Sequence, residues 1–453
     1  MFSSHRPARA GFAPRFGIAL ILVGSPCGFA APPAVPTAPS TPLPPTSVST
    51  TPAPDFRALF RQAMTARANG DAASYLALLE EAARVHPEPR LLGFRLAGAL
   101  ALNGFSARAF DQLESLATAG AWRNLAAEPD LAALRDSTRW GPLLARFAAL
   151  REPITASRVA FRLVERDLLV EGIAHDAASG DFFLGSVHRG RILRRKADGT
   201  MTTFADLHGL APLGLAVDAK SKRLWAAAAD LPQTAERDPA LKDATLLLAF
   251  DLASGREVAR IAPPAGGEQA LNDLVVASDG RVYASDGRNG GVWTLAPGGQ
   301  QLEPVLAAGH LGSAGGLALF DGERRLLVAD WSRGLVAIDL ADRRWQRVET
   351  AADFLPVGLD GLVSTGAGFV AIQNGLEPAR VVRFSLAASG NAVERVETLE
   401  RAHPEYAEPT LGVVVGSELF YVANSQWESF GEDGRAKSPA DLAAPVVLRL
   451  PLR

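Results

Sequence analysis

The sequence contains a single cysteine, Cys27, among 453 residues, and it lies within the first 30 positions. This excludes an intramolecular disulfide, and it leaves the rest of the chain without a thiol nucleophile or a thiolate metal ligand. Charge of one sign is also lacking, because acidic and basic residues nearly cancel to a formal net charge of -3. A nucleic-acid partner is therefore not expected. The apolar run "FGIALILVG" is too short to span a bilayer, so no membrane span is predicted.

The first 54 residues predict export. Basic residues precede the apolar run, and Gly28-Phe29-Ala30 offers small residues for cleavage after Ala30. Residues 31–54 contain nine prolines in 24 positions, a composition that cannot bury apolar surface and is typical of an extended linker. We therefore expect a signal peptide at 1–30, a disordered linker at 31–54, and a secreted or periplasmic location.

Residues 55–150 are rich in alanine and leucine at helical spacing. Helix breaks fall at Gly70-Asp71 and at Asn103-Gly104, which divides the segment into successive pairs of helices. The spacing in "NGDAASYLALLEEA" resembles that of the tetratricopeptide family, whose repeat is a helix pair. This resemblance implies a small concave surface for a protein partner. The alternative is a generic helical cap on the domain that follows.

Beyond residue 157 the pattern changes to short strand-like segments between Gly-, Asp- and Asn-rich turns. One motif recurs six times, at intervals of 42, 59, 43, 45 and 51 residues. The six segments are "VEGIAHD", "PLGLAVD", "LNDLVVA", "AGGLALF", "LDGLVST" and "TLGVVVG". Such units fit four-stranded blades and predict a six-bladed β-propeller over 157–453. The lone strand "SRVAFRLVE" should complete the last blade, and "LPQTAERDPALKDAT" should form a rim loop.

The second residue of each of these six segments predicts a site. In blades one to six this residue is Glu171, Leu213, Asn272, Gly315, Asp360 and Leu411. Oxygen-bearing side chains therefore occur in blades one, three and five only. Because alternate blades are a third of a turn apart, their first strands direct these three side chains toward the axis, where they suit a hard cation. The alternative is ordinary turn chemistry, which asparagine and aspartate favour but glutamate does not.

The ends of the second strands carry further polar residues. Most of them, such as Asp230, Asp286 and Asp330, should cap turns within the blades. Polar residues that follow a buried apolar run are better candidates for substrate binding, and these are Asn374, Asn424 and Gln426. Two tryptophans, Trp331 and Trp427, lie nearby in sequence and either line a pocket or pack between blades.

These motifs resemble the SMP-30/gluconolactonase/LRE group of six-bladed propellers. The resemblance covers residues 157–453 and rests on "VEGIAHD", "LNDLVVASDGRVYASD" and "LDGLV". It implies a divalent cation, calcium or zinc, held in the channel by Glu171, Asn272 and Asp360. It also implies that Asn272 faces the substrate and that Asp360 acts as a general base. The group usually has a further asparagine ligand in blade four, where this chain has Gly315.

Two classes of function follow. The first is a metal-dependent hydrolase that acts on a small lactone or related ester, with Asp360 as its catalytic base. The second is a non-catalytic periplasmic binding or scaffold protein that uses the propeller and the helical repeats, a role that the missing ligand at Gly315 favours. A structural calcium that only rigidifies the channel is a third possibility. Neither a Gly-x-Ser-x-Gly motif nor a phosphate-binding loop is present.

Overall fold

The computed structural model describes residues 55–86, 92–431 and 433–452. The predicted signal peptide and linker lie outside the described residues. Within these ranges, no helix is both long enough and apolar enough to cross a membrane.

The N-terminal part of the described chain is a helical unit, residues 55–150. Its α-helices are α1 (Phe56–Ala68), α2 (Ala72–Val85), α3 (Gly93–Leu102), α4 (Ser106–Thr118) and α5 (Trp140–Ala149). Asp55 and Asp71 cap α1 and α2, because each carboxylate accepts a backbone N–H of the first turn. Between α4 and α5 the chain forms only short 3-10 helices, at 125–127 and 129–134. The helix pairs are observed, and their kinship with tetratricopeptide repeats stays a prediction.

The rest of the chain forms six antiparallel four-stranded sheets, the six blades of a propeller. Blade one contains β2 (Val170–Asp176), β3 (Asp181–Ser186), β4 (Arg191–Arg195) and β5 (Met201–Asp206); blade two contains β6 (Ala211–Asp218), β7 (Arg223–Ala229), β8 (Thr245–Asp251) and β9 (Glu257–Ile261); blade three contains β10 (Leu271–Val276), β11 (Val282–Asp286), β12 (Val292–Leu295) and β13 (Glu303–Leu306). Blade four contains β14 (Ala314–Phe320), β15 (Arg325–Asp330), β16 (Gly334–Asp339) and β17 (Trp345–Arg347); blade five contains β18 (Leu359–Ser364), β19 (Phe369–Gln373), β20 (Arg380–Leu386) and β21 (Val393–Arg401). Blade six contains β22 (Gly412–Val415), β23 (Glu418–Val422), β24 (Val446–Pro451) and β1 (Arg158–Arg162). The six-bladed prediction is confirmed.

The ring closes as the sequence predicted. Strand β1 pairs antiparallel with β24 and becomes the outermost strand of blade six, which covers the otherwise open edge of β24. The chain leading into β1 is held by Glu400, which is fully buried. Its carboxylate accepts hydrogen bonds from the hydroxyls of Ser157 (2.8 Å) and Tyr421 (2.6 Å). The first residues of the propeller are thereby tied to the end of blade five.

The helical unit docks on blade five. Leu355 and Val357, in the segment before β18, are buried in the same apolar cluster as the helices. The backbone N–H of Trp122 donates to the carbonyl oxygen of Glu377 over 2.9 Å. Because Glu377 lies between β19 and β20, this contact is on the rim where β18 begins, the same rim that carries Asp360.

Candidate functional site at the channel mouth

The first strands of five blades are irregular at the same place. The pairing register shifts between Val170 and Ile173 in blade one, between Leu271 and Leu274 in blade three, and between Leu359 and Leu362 in blade five. Blades two and four shift at the equivalent position. A local shift of this kind unpairs a residue and redirects its side chain. In blades one, three and five the predicted site residues lie inside these shifts.

Glu171 is almost fully buried, with 6% of its surface exposed. Its Oε2 accepts a hydrogen bond from the indole Nε1 of Trp427 over 2.7 Å. Trp427 begins a 3-10 helix in the long connection from β23 to β24. That connection also contributes Phe430 and Leu442 to an apolar cluster with blades one and two. Trp427 is therefore a direct partner of the predicted ligand, a contact that sequence spacing could not indicate.

Asp360 has a partner just beyond the end of the neighbouring strand, β19. Nδ2 of Asn374 donates to Oδ2 of Asp360 over 2.6 Å, and Oδ1 of Asn374 accepts from Nε1 of Trp331 over 3.3 Å. Asn374, predicted to bind substrate, therefore orients a carboxylate in the described structure. Both amide positions already have protein partners, and a role in substrate contact stays a prediction.

Glu171 and Asp360 are close enough to influence one another. Burial raises the pKa of Glu171 well above its usual range, and the charge of Asp360 raises it further, while the hydrogen bond from Trp427 lowers it. Burial raises the pKa of Asp360 to about 6, against the lowering effect of the bond from Asn374. Two neighbouring carboxyl groups whose pKa values are both raised by burial are typical of a site that binds a cation or transfers protons.

Asn272 lies at the start of the first strand of blade three, as predicted. A Cβ atom at Gly287 would lie 3.4 Å from the Cβ of Asn272, which shows that the asparagine covers this glycine. The Asn272 amide makes no hydrogen bond to another residue within the described part of the chain. The structure therefore brings Glu171 and Asp360 together and leaves the Asn272 amide free, without a direct contact to either carboxylate.

Asp273 is a candidate that the sequence analysis did not single out. Five of the six repeated segments have glycine as their third residue, and Asp273 in blade three is the exception. Burial raises the pKa of Asp273 to about 7; nearby backbone N–H groups lower it and the charge of Asp360 raises it. An ideal Cβ at Gly214 would lie 2.6 Å from Oδ1 of Asp273, so the carboxyl group lies against the inner strand of blade two. The break in the glycine pattern was the signal that could have identified it.

Gly315 occupies the position where the resemblance implies a further asparagine ligand. An ideal Cβ at Gly315 would meet no atom closer than the carbonyl oxygen of Ala329, at 3.4 Å, an ordinary contact distance. At Gly316 the same atom would lie 2.5 Å from the carbonyl oxygen of Asp360. Gly316 is therefore required by the close approach of two inner strands, whereas Gly315 could carry a Cβ atom at ordinary contact distances.

The side chains at the channel mouth offer oxygen ligands that suit a hard cation, but these ligands are few. Among the described residues, no three or more His, Cys, Asp and Glu side chains are grouped so that they could hold a metal ion. Two carboxylates and the free amide of Asn272 remain, all of them oxygen donors of the kind that calcium binds. The charge of Asp360 raises the pKa of the buried Glu171, and a bound cation would relieve this unfavourable interaction.

Asn424 and Gln426 hold the loop that carries Trp427. Nδ2 of Asn424 donates to the carbonyl oxygen of Ala444, and its Oδ1 accepts the N–H of Val446. Gln426 makes the same pair of bonds, both with the backbone of Ala443. Their predicted substrate contact is untested, and in the structure both amides bind backbone.

The other polar residues at the ends of the second strands are structural, as expected. Asp230 forms an ion pair with Arg237 at 2.6 Å, and the carboxylates of Asp286 and Asp330 accept backbone N–H groups of the turns that follow. The ring of His175 packs on Phe182, and burial lowers its pKa. It lies toward the far end of β2, so it is not a base at the mouth.

No protein-family model matches the sequence, and neither does any curated protein. Solved structures similar to this chain include a gluconolactonase from Xanthomonas campestris, which is 19% identical with a TM-score of 0.45. The match spans 67% of this chain and 93% of the gluconolactonase chain. A luciferin-regenerating enzyme is 13% identical with a TM-score of 0.47, covering 66% and 95% of the two chains. The calcium-binding protein regucalcin from Agrobacterium tumefaciens is 16% identical with a TM-score of 0.47, covering 64% and 93%. At these identities the three matches are likenesses of fold alone.

Proposed function

We propose that this protein is an exported hydrolase that opens a small lactone or related ester at the channel mouth, with a divalent cation, calcium or zinc, as cofactor. The observation that carries the proposal is the pair Glu171 and Asp360, carboxylates of different blades, in which the charge of Asp360 acts on the buried Glu171. A scaffold has no need for such a pair, because each buried carboxylate costs free energy unless it is neutralised or bound. The gluconolactonase among the similar folds supports the substrate class.

Asp360 would serve as the general base. A pKa of about 6 leaves most of this carboxyl group ionised at neutral pH while keeping it basic enough to accept a proton. Asp360 takes a proton from the attacking water, whose oxygen adds to the carbonyl carbon. The carbon–oxygen bond of the ring then breaks, and the same proton passes to the departing oxygen, which yields a hydroxy acid. Asn374 holds Asp360 in one orientation during both transfers.

Glu171, Asn272 and Asp360 are the residues that would hold the cation. When bound there, a divalent cation supplies Lewis acidity toward the carbonyl oxygen of the substrate. The bond from Trp427 favours the ionised form of Glu171 and fixes one of its oxygens, so the other oxygen remains for the ligand role. Asp273, with a pKa of about 7, is a second group that can exchange protons close to neutral pH.

Thermal unfolding in EDTA, followed by addition of calcium, zinc, manganese or magnesium, tests the cation. An ion at 100 times its dissociation constant stabilises the folded state by about 2.7 kcal/mol. We expect a rise in Tm for at least one ion, its loss in Glu171→Gln, and its retention in Glu268→Gln. Glu268 is an exposed glutamate just before β10 and serves as the matched control.

Hydrolysis of a panel of sugar lactones and aryl esters, followed by acid release, tests the reaction. Asp360→Asn should abolish turnover and leave the unfolding transition intact. If no ion shifts Tm and no lactone or ester is turned over, the hydrolase proposal fails and the binding role remains. The export part rests on residues 1–30 alone, and recovery of a chain that begins at Ala31 from the periplasm would test it.

A further inference from the structure

Arg380 lies at the contact between the helical unit and blade five. Its side chain is buried, with 7% of the residue exposed, and burial lowers the pKa of its guanidinium to about 10, so it remains charged at neutral pH. Nη2 donates to the carbonyl oxygen of Ala119 over 3.2 Å. Ala119 is the C-cap of α4, where unpaired carbonyls give a helix its partial negative charge. The C-terminal end of α4 is therefore the partner of this buried cation.

Gln373 continues the connection into blade five. Nε of Arg380 donates to Oε1 of Gln373 over 2.6 Å, and Nε2 of Gln373 donates to the carbonyl oxygens of both Leu355 and Val357, at 2.7 and 2.6 Å. Gln373 is fully buried, so its amide has no water as an alternative partner. It ties the end of β19 to the segment that leads into Asp360.

Asn374 is the last link and follows Gln373 directly. Its amide contacts both Asp360 and Trp331, as described above. Gly375 lies so close to Trp331 that an ideal Cβ would be 2.8 Å from the indole ring. Any displacement of the turn between β19 and β20 therefore moves Asn374 against Trp331 and Asp360 together.

We propose that the helical unit is a positioning element of the channel site, and that it holds Asp360 through the series Arg380, Gln373 and Asn374. The catalytic meaning of this coupling rests on the proposed hydrolase function. The coupling itself is a property of the fold. Arg380 and Gln373 are positioning residues, because neither touches the mouth and each acts through Asn374 or through the segment before β18.

A second arginine at the same contact provides the control. Arg401 donates from Nε to the carbonyl oxygen of Glu152 and from Nη2 to that of Ala149, both over 2.9 Å. It therefore also joins the helical unit to blade five. Arg401 lies on β21, the outermost strand of the blade, whereas Asp360 lies on the innermost strand. Arg401 is the cross-strand neighbour of Arg380, but its guanidinium bonds only the helical unit and the segment that follows it, so its loss removes docking contacts and none of the hydrogen bonds that lead to Asp360.

The experiment compares Arg380→Met with Arg401→Met in the full chain labelled with 5-fluorotryptophan. The ¹⁹F resonance of Trp331, assigned with Trp331→Phe, reports the position of the Asn374 turn. We expect both variants to lower Tm, but only Arg380→Met to shift or broaden the Trp331 resonance. An unchanged resonance in folded Arg380→Met, or an equal change in Arg401→Met, would overturn the proposal.

If Arg380→Met does not fold, Arg380→Lys replaces it. Lysine keeps the charge at the end of α4 but lacks the planar fork that binds Ala119 and Gln373 at once, so the Trp331 resonance should still move. With a substrate in hand, Arg380→Met should lower kcat at least tenfold with a smaller change in KM, and Arg401→Met should leave kcat unchanged. Because the ¹⁹F measurement needs neither substrate nor cation, the coupling is decided even if the hydrolase proposal fails.

Discussion

The indole Nε1 of Trp427 donates a hydrogen bond to Oε2 of Glu171 over 2.7 Å, and this bond joins the longest connection of blade six to the first strand of blade one. It lowers the pKa of a carboxyl group that burial and Asp360 raise. The ionisation of the predicted ligand thus depends on a loop far from it in sequence.

Trp427→Phe removes this donor and keeps an aromatic ring. We expect the pKa of Glu171 to rise further, because the hydrogen bond favours the charged form, and the loss of a bond to a charged group costs about 1.5–3 kcal/mol. NMR titration of ¹³C-labelled glutamate carboxyls measures the shift. Trp345→Phe is the control, since Trp345 lies on β17, the outermost strand of blade four. An unaltered Glu171 titration in Trp427→Phe would contradict this account.

The raised pKa values of Asp273 and Asp360 should give the stability of the folded protein an unusual dependence on pH. The pKa of Asp360 is raised to about 6 and that of Asp273 to about 7, whereas the same groups in an unfolded chain titrate near about 4. Between these values the folded state binds more protons than the unfolded state. Their contribution to stability is therefore fully present below about pH 4 and is lost as the pH rises toward about 7.

Unfolding in EDTA across pH 4.5 to 8 measures this contribution. We expect the double variant Asp273→Asn with Asp360→Asn to lose less stability over that range than the wild type. Calcium or zinc should raise the wild-type Tm more at pH 8 than at pH 5, because ionised carboxylates bind cations and protonated ones do not. Parallel pH curves for the two proteins would show that these carboxyl groups titrate normally.

Gly315→Asn should strengthen the cation site. The position accommodates a Cβ atom at ordinary contact distances, and asparagine there would supply the amide oxygen that the sequence resemblance implies at this position. An additional oxygen ligand that improves affinity tenfold corresponds to about 1.4 kcal/mol. Thermal shift titration with calcium and zinc measures the gain. Gly316→Ala, which places a Cβ 2.5 Å from a backbone oxygen, should instead lower stability in the absence of any ion.

Deleting residues 55–150 should expose a surface that the propeller alone cannot cover. Leu355 and Val357 would lose the helices that bury them, at a cost of about 1.5–3 kcal/mol for each fully buried side chain, and Arg380 would lose the carbonyl of Ala119. We expect the truncated protein to aggregate in light-scattering measurements. Leu355→Ser with Val357→Thr should improve its solubility and destabilise the full chain. A soluble, monomeric truncation would show that the propeller folds independently of the helices.

The propeller was predictable because its signal is local and repeated. Each blade is built from strands that pair with their neighbours in sequence, so one motif seen six times indicates both the number of blades and the position of the first strands. The closing strand β1 followed from the same count, since an unpaired strand before blade one has a place only in blade six. Glu171 and Asp360 were identified for the same reason, because equivalent positions of a repeat lie at equivalent places in the ring.

The sequence alone thus determined the repeat and the positions that are equivalent from blade to blade. The tertiary structure alone decided the contacts that break the symmetry. These are the bond from Trp427 to Glu171, the hydrogen bonds of Asn424 and Gln426 to the backbone of their own loop, and the docking of the helices on blade five. Such contacts join long connections to distant strands, and they depend on how irregular surfaces pack. No period in the sequence records that packing, so it emerges only when the chain is folded.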